Sequence, residues 1–140
     1  MCNYKIIEYS AGYFDQINQF WNENGLGGSH RGDNEKIIND TLEAGGHLVL
    51  MIDEMDTVIG TSWLTNDKRR TYIHHFGIKE SCRHHGLAGE LLEYCLKLAN
   101  ADGYQIKLEV HQDNEPAIHL YKKYGFKPLG DYTVLIKRDI

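Results

Sequence analysis

Long hydrophobic runs are missing from the sequence, whose longest unbroken apolar stretch extends from Leu48 only to Ile52. A membrane-spanning helix needs about 20 predominantly apolar residues, so the pattern argues against an integral membrane protein. The first residues also lack a basic segment followed by an apolar one. We therefore expect no secretory signal and a cytoplasmic location.

Cysteine and positive charge are also scarce. The three cysteines, at positions 2, 82 and 95, have no CxxC spacing, which argues against a disulfide framework and a zinc cluster. A formal net charge of −5 argues against nucleic-acid binding, which needs a concentrated basic surface, and leaves room for a cationic partner such as an amine. Adjacent strand residues point to opposite faces, so His74 and His75 cannot chelate from one side. We predict no metal site.

The remaining composition is that of an ordinary globular protein. Apolar residues make up 41% and charged residues 25% of 140 positions, which fits a single domain spanning residues 1–140 with a real core. Hydrophobic periodicity and turn residues predict an α/β fold in the order β-α-α-β-β-β-α-β-α-β-β. The strand–helix–strand crossover over 70–110 implies a locally parallel pair in a mixed sheet with helices on both faces.

The predicted elements have the following limits. Strands are expected at 2–10, 47–53, 56–64, 70–78, 104–111, 126–130 and 131–139. Helices are expected at 12–23, between an Asp33 cap and the Gly45-Gly46 stop, at 86–102 before Gly103, and at 114–125.

One junction between a strand and a helix has unusual residues. The run Arg83-His84-His85-Gly86-Leu87-Ala88 precedes a leucine-rich helix, whereas an ordinary helix start uses Ser, Thr, Asp or Asn as a cap. The N-terminus of a helix carries unpaired N–H groups and about half a positive charge. A glycine there lets these donors close on a phosphate, so the run suggests a diphosphate site, although Gly86 can also serve merely as a turn.

A second motif follows on the last predicted helix. Asn114-x-x-Ala117-x-x-Leu120-Tyr121-x-x-x-Gly125-Phe126 lies downstream of the R-x-x-G-x-A run. Together the two motifs resemble the acetyl-CoA signature of the GCN5-related N-acetyltransferase (GNAT) superfamily, over residues 57–138. The C-terminal half is particularly similar to the branch that acetylates the N-terminal alanine of a ribosomal protein; the first 45 residues are not.

The resemblance implies a centrally splayed sheet and acetyl-CoA as co-substrate. The pantetheine arm would pair with the backbone of Phe76, Gly77 and Ile78, and Asn114 would reach the coenzyme from the next crossover. Backbone amides would hold the pyrophosphate, contributed by Arg83, His84, His85, Gly86, Leu87, Ala88 and Gly89. His84, His85 and Glu80 differ from the residues commonest in the family. This difference affects the expected side-chain contacts with the phosphates more than the contacts of the backbone amides.

The resemblance also implies catalytic roles. Tyr121 stands where the family has the acid that protonates the leaving thiolate, although its spacing from Ala117 and Tyr124 also fits a core tyrosine. Glu109 matches the base of the similar branch. His74, His75 or a water molecule are alternatives, because an imidazole titrates near neutral pH.

The acceptor is expected to lie beside the loop from Gly25 to Asp33. Candidate contacts are Trp21, His30, Arg31 and His75, of which Arg31 suits a carboxylate. The main expectation is transfer of acetyl to a primary amine of a small molecule. The alternatives are a lysine or N-terminus of a protein, and a non-catalytic CoA-binding module. The last strands often pair between subunits in this family, which suggests a homodimer.

Overall fold

The computed structural model describes residues 3–140, so Cys2 lies outside the described residues. The chain divides after Glu109 into two compact units, and the single domain stays a prediction. The strands are β1 (Tyr4–Glu8), β2 (His47–Asp53), β3 (Val58–Asn66), β4 (Arg70–Ile78) and β5 (Gln105–Leu108). The helices are α1 (Phe14–Glu23), α2 (Glu35–Glu43), α3 (Leu87–Asp102) and α4 (Glu115–Lys123). Among the described residues, no helix combines the length and apolar character needed to cross a bilayer.

The N-terminal unit contains one mixed sheet in the order β1-β2-β3-β4-β5. Its first three pairings are antiparallel and β4–β5 is parallel, which confirms the predicted crossover. β5 pairs with β4 only from Arg70 to Ile73. The second half of β4 therefore continues beyond its pairing with β5, in agreement with the splay that the resemblance implies.

Helices cover both faces of this sheet, as predicted. Leu48, Leu50 and Ile52 of β2 share a core with residues of α1 and α2. The alternate residues Val49 and Met51 are also buried and point to the opposite face because strand side chains alternate. α3 packs against β3, β4 and β5, and its leucines at 91 and 92 are completely buried.

The cap of α2 differs from the prediction. Asn34, not Asp33, caps this helix, because the Asn34 side chain accepts the Ile37 N–H at 2.9 Å. Both residue types are good caps, and their adjacency in the sequence leaves the choice open. Asp33 is thereby available for a contact with β4, described below.

The predicted last two strands are wrong. The C-terminal unit contains α4 and no strand after Gly125. Leu129 and Leu135 are 62% and 88% exposed. Residues 131–139 are rich in β-formers, but such propensity reflects packing against neighbouring strands, and no strand of the described chain pairs with them. The α/β class stands with five strands, and the homodimer stays a prediction.

Candidate active site

The loop between β4 and α3 has two left-handed residues. His84 has φ +67° and Gly86 has φ +76°. Arg83 stands just before them, and its Nε donates to the Ile78 carbonyl at 3.0 Å, so part of the guanidinium is engaged with the end of β4. Successive backbone N–H groups in a turn of this kind can face one side and form a concavity suited to an anion.

The same loop leads into an uncapped helix. The N-cap residue of α3 is Gly86, which has no side chain to bond the first turn, and the first bond within the helix runs from the Glu90 N–H to the Gly86 carbonyl at 3.2 Å. A Cβ added at Gly86 would meet open space. The amides of Leu87, Ala88 and Gly89 therefore begin a 16-residue helix, where the dipole favours negative charge.

β4 contains a bulge beside this loop. Thr61 pairs with Gly77 and Trp63 with His74, so His75 and Phe76 together oppose the single residue Ser62. His75 has φ +48°, a left-handed conformation that is uncommon for a non-glycine residue. The Thr61 hydroxyl donates to the His75 carbonyl at 2.7 Å and accepts the Trp21 indole N–H at 3.0 Å. These two bonds hold the bulge in place.

Both histidines contact Trp63 because of the bulge. The His74 and His75 rings lie 6.4 and 5.5 Å from the Trp63 ring, each edge-on. The expectation that strand alternation separates them is therefore wrong, since alternation requires regular pairing. Within the described chain, no group of three or more potential ligands is arranged to hold a metal ion.

Asp33 is the residue at this site that the sequence interpretation missed. Its Oδ2 lies 2.8 Å from His75 Nε2 and accepts the Gly28 N–H at 2.9 Å. The side chains of His75 and Asp33 are 19% and 18% exposed. A helix cap and an ion pair use the same carboxylate, so the sequence pattern alone does not distinguish the two roles.

The other base candidates have different surroundings. Glu109 is exposed just after β5. His74 Nε2 lies 2.8 Å from the Thr65 hydroxyl. Partial burial lowers the pKa of His74 below its usual 6.5, and the neighbouring His75 lowers it further. A neutral His74 is thus favoured, with its Nε2 already engaged.

The expected acceptor contacts fall into two groups. His30 and Arg31 are exposed on a short 3-10 helix, Ser29–Arg31, within the loop. Trp21 has no exposed surface to offer an acceptor. Its ring stacks on Trp63 at 5.5 Å and meets the edge of His75 at 4.8 Å, so it supports the bulge instead.

Two motif residues lie in the C-terminal unit. Asn114 caps α4 by accepting the Ala117 N–H at 3.3 Å, so its Oδ1 has a structural partner. Tyr121 is 7% exposed, and its ring lies 5.6 Å from that of Phe126. Burial fits the packing interpretation of Tyr121 and leaves its proposed chemistry to be tested.

Comparison with known proteins agrees with these features. The chain is 34% identical over 111 residues to "Probable N-acetyltransferase san" from Drosophila melanogaster, which covers 75% of this chain and 60% of that protein. It is 40% identical over 68 residues to "L-amino acid N-acetyltransferase AaaT" from Escherichia coli, which covers 44% and 41% of the two chains. The chain thus spans less than two thirds of the length of these relatives.

The fold and the family are also recognisable. A GNAT-family acetyltransferase structure from Staphylococcus aureus superposes with a TM-score of 0.78 at 21% identity, covering 93% of this chain and 89% of that one. The model of the Acetyltransferase (GNAT) family, in which acetyl-CoA is the typical co-substrate, matches residues 14–126. The chain belongs to the GNAT acetyltransferase family.

Proposed function

We propose that this protein transfers the acetyl group of acetyl-CoA to a primary amine of a small molecule, by direct attack in a ternary complex. The observation that carries the proposal is the loop from Arg83 to Gly89. It has left-handed residues at His84 and Gly86 and opens an uncapped helix, in a chain that belongs to the acetyltransferase family. Holding both reactants together removes translational freedom and supplies much of the rate.

The coenzyme would lie along the second half of β4. Its pyrophosphate would take the amides from Arg83 to Gly89, and its pantetheine arm would pair with the backbone of Phe76, Gly77 and Ile78. β4 extends past β5 there, which supports this placement. The amide of Asn114 is the further contact implied by the family motif.

The reaction requires three proton or charge events. An amine with a reference pKa near 10.4 is protonated at neutral pH, so a base removes a proton before nitrogen attacks the thioester carbonyl carbon. A backbone N–H near Phe76 or Ile78 would stabilise the oxyanion, an effect of about 3–4 kcal/mol per donor. As the C–S bond breaks, the thiolate takes a proton, for which we propose the phenol of Tyr121. Glu109, His75 and water are the base candidates.

We propose an α-amino acid or a related small amine as acceptor. Arg31 is an exposed cation on the loop expected to border the acceptor, and such a side chain suits a carboxylate. The similarity to an L-amino acid N-acetyltransferase supports the same class. Activity on a protein N-terminus or lysine is the alternative, and the ribosomal-protein branch stays a prediction.

Thermal unfolding with acetyl-CoA, with CoA and without ligand tests the coenzyme site. A ligand at 100 times its dissociation constant adds about 2.7 kcal/mol of stability. Gly86→Glu would abolish the ligand-induced shift by placing a carboxylate among the phosphate donors. Gly103→Glu is the matched control, since Gly103 ends the same helix at φ +82° and also faces open space. A wild-type protein that folds without any shift would refute coenzyme binding.

Thiol release from acetyl-CoA then identifies the acceptor. The panel contains the L-amino acids, spermidine, tyramine and a peptide with a free N-terminus. Turnover of free amino acids supports the proposal, and turnover of the peptide alone points to a protein acceptor. Coenzyme binding with no turnover of any amine would indicate a non-catalytic CoA-binding module.

A further inference from the structure

The contact between Asp33 and His75 joins two distant parts of the N-terminal unit. Asp33 ends the α1–α2 loop and His75 lies on the bulge of β4, and their side-chain atoms Oδ2 and Nε2 are 2.8 Å apart. About four fifths of each side chain is buried, since 19% and 18% are exposed. The pair is thus mostly shielded from bulk water, and the small exposed part of each side chain lets protons exchange with solvent.

The partners of Asp33 determine where the imidazole hydrogen lies. A carboxylate offers only acceptors, and Asp33 Oδ2 also accepts the Gly28 N–H at 2.9 Å. The contact at 2.8 Å therefore requires the hydrogen of a neutral His75 on Nε2. The lone pair is then on Nδ1, which is the nitrogen able to accept a proton.

The backbone around the pair holds this arrangement. The left-handed conformation of His75 is fixed through its carbonyl by Thr61. On the other side, a Cβ on Gly27 would lie 2.6 Å from His75 Nε2 and would also collide with Asp33 Oδ2. The loop thus approaches the pair so closely that only glycine fits at position 27. Strained residues and close approaches of this kind concentrate at functional sites.

We propose that Asp33 and His75 form a dyad in which Asp33 holds His75 in the Nε2–H tautomer and Nδ1 removes the proton from the acceptor ammonium. This rests on the proposed acetyl transfer. His75 is the catalytic residue and Asp33 the positioning residue, so Glu109 is not the base. The carboxylate also stabilises the imidazolium that forms, the logic by which an acid orients a histidine base in hydrolases.

The proton balance closes with the groups named. The ammonium gives one proton to Nδ1, which passes it to solvent. The neutral nitrogen attacks the thioester carbon, and the tetrahedral intermediate loses a second proton from nitrogen to solvent as the C–S bond breaks. Tyr121 protonates the CoA thiolate and regains a proton from solvent. One proton is released per acetyl group transferred.

Asp33 is the charged group in direct contact with the His75 ring. The rings of Trp21 in α1 and Trp63 in β3 lie against it in T-shaped arrangements and carry no charge. His74 is the adjacent residue, and Glu109 and Asp33 are the acidic groups whose charges act on His74. Of these, Asp33 is hydrogen-bonded to the His75 ring.

Two measurements on the full chain test the dyad. Long-range ¹H–¹⁵N NMR of the ligand-free protein reports which His75 nitrogen carries the hydrogen, and we expect Nε2–H, lost in Asp33→Asn. Kinetics compare the panel amine that turns over fastest with hydroxylamine, which is already neutral at pH 7. We expect Asp33→Asn to lower kcat/KM for the alkyl amine by about 100-fold or more and to affect hydroxylamine much less.

A second variant guards against a folding artefact. Gly27→Ala keeps both Asp33 and His75 in the sequence, but the added Cβ forces their side chains apart. It should therefore reproduce the loss of activity with the alkyl amine. Gly103→Ala, which adds a Cβ in open space at φ +82°, should keep wild-type activity.

Three results would overturn the dyad: an Nδ1–H tautomer in the wild type, an equal loss of kcat/KM for both amines in Asp33→Asn, or unchanged kinetics in both Asp33→Asn and Gly27→Ala. Coenzyme binding without turnover of any amine would instead refute the proposed function. The catalytic role of His75 would fall with it, while the NMR signature of the pair would persist.

Discussion

Thr61→Val removes the hydroxyl that links α1 to the bulge of β4. Thr61 is completely buried, and its hydroxyl accepts the Trp21 indole N–H at 3.0 Å and donates to the His75 carbonyl at 2.7 Å. Valine has nearly the same shape, so the change creates little cavity. Its effect is to leave an indole N–H and a carbonyl without these partners in the interior.

The magnitude follows from these two groups. An unsatisfied buried donor or acceptor costs about 1–3 kcal/mol, while an added buried methyl group returns about 0.8 kcal/mol. Because two groups lose their partners, the net loss in the free energy of unfolding is about 1–5 kcal/mol. For a chain of 140 residues, this lowers Tm by about 3 °C per kcal/mol, or about 3–15 °C.

Urea denaturation followed by tryptophan fluorescence measures this loss, with two matched controls. Thr41 makes the same pair of bonds elsewhere, accepting the Trp63 indole N–H and donating to the Ile38 carbonyl, so Thr41→Val should destabilise without changing the His75 tautomer. Thr71 is buried and its hydroxyl has no hydrogen-bond partner among the described residues, so Thr71→Val should be neutral or stabilising. Equal effects of Thr61→Val and Thr71→Val would refute the reasoning.

Two further outcomes follow from titratable groups. Burial lowers the pKa of His74 in the folded state, so the unfolded chain takes up a proton first as the pH falls below about 6.5. The free energy of unfolding should therefore fall in that range. A pH series of urea melts should show a shallower decline in His74→Gln than in the exposed-site control His119→Gln. Burial raises the pKa of the Cys95 thiol to about 12, so Cys95 should resist iodoacetamide at pH 8 in the folded protein and react in 6 M guanidinium. Mass spectrometry of the labelled peptide measures both reactions. Rapid labelling of the folded chain would contradict the burial.

Local sequence signals predicted the features that depend on neighbouring residues. α3 begins after Gly86 and ends before Gly103, both left-handed, as the glycine positions predict. The helical spacing of the apolar residues in α1 likewise predicted a buried face that the structure confirms. These features follow from the backbone freedom of glycine and from the periodicity within one helix, neither of which needs information from distant parts of the chain.

The last strands show the limit of local propensity. Residues 131–139 have the composition of a strand, yet they form none in the structure. A helix satisfies its hydrogen bonds within its own segment, whereas a strand needs a partner strand whose position the segment itself does not encode. The loop before α3 was predictable because its motif is contiguous, and its proposed assignment to acetyl-CoA came from a resemblance to a known family.

The sequence by itself determined the α/β class, the two ends of α3 and the glycine-containing loop before it, because each depends on residues a few positions apart. Only the tertiary structure decided that His75 adopts a left-handed bulge and that Asp33 pairs with it instead of capping α2. Those two residues are 42 positions apart, and their contact requires the β3–β4 register and the close approach of Gly27. A register set by pairing between strands is invisible in either segment alone.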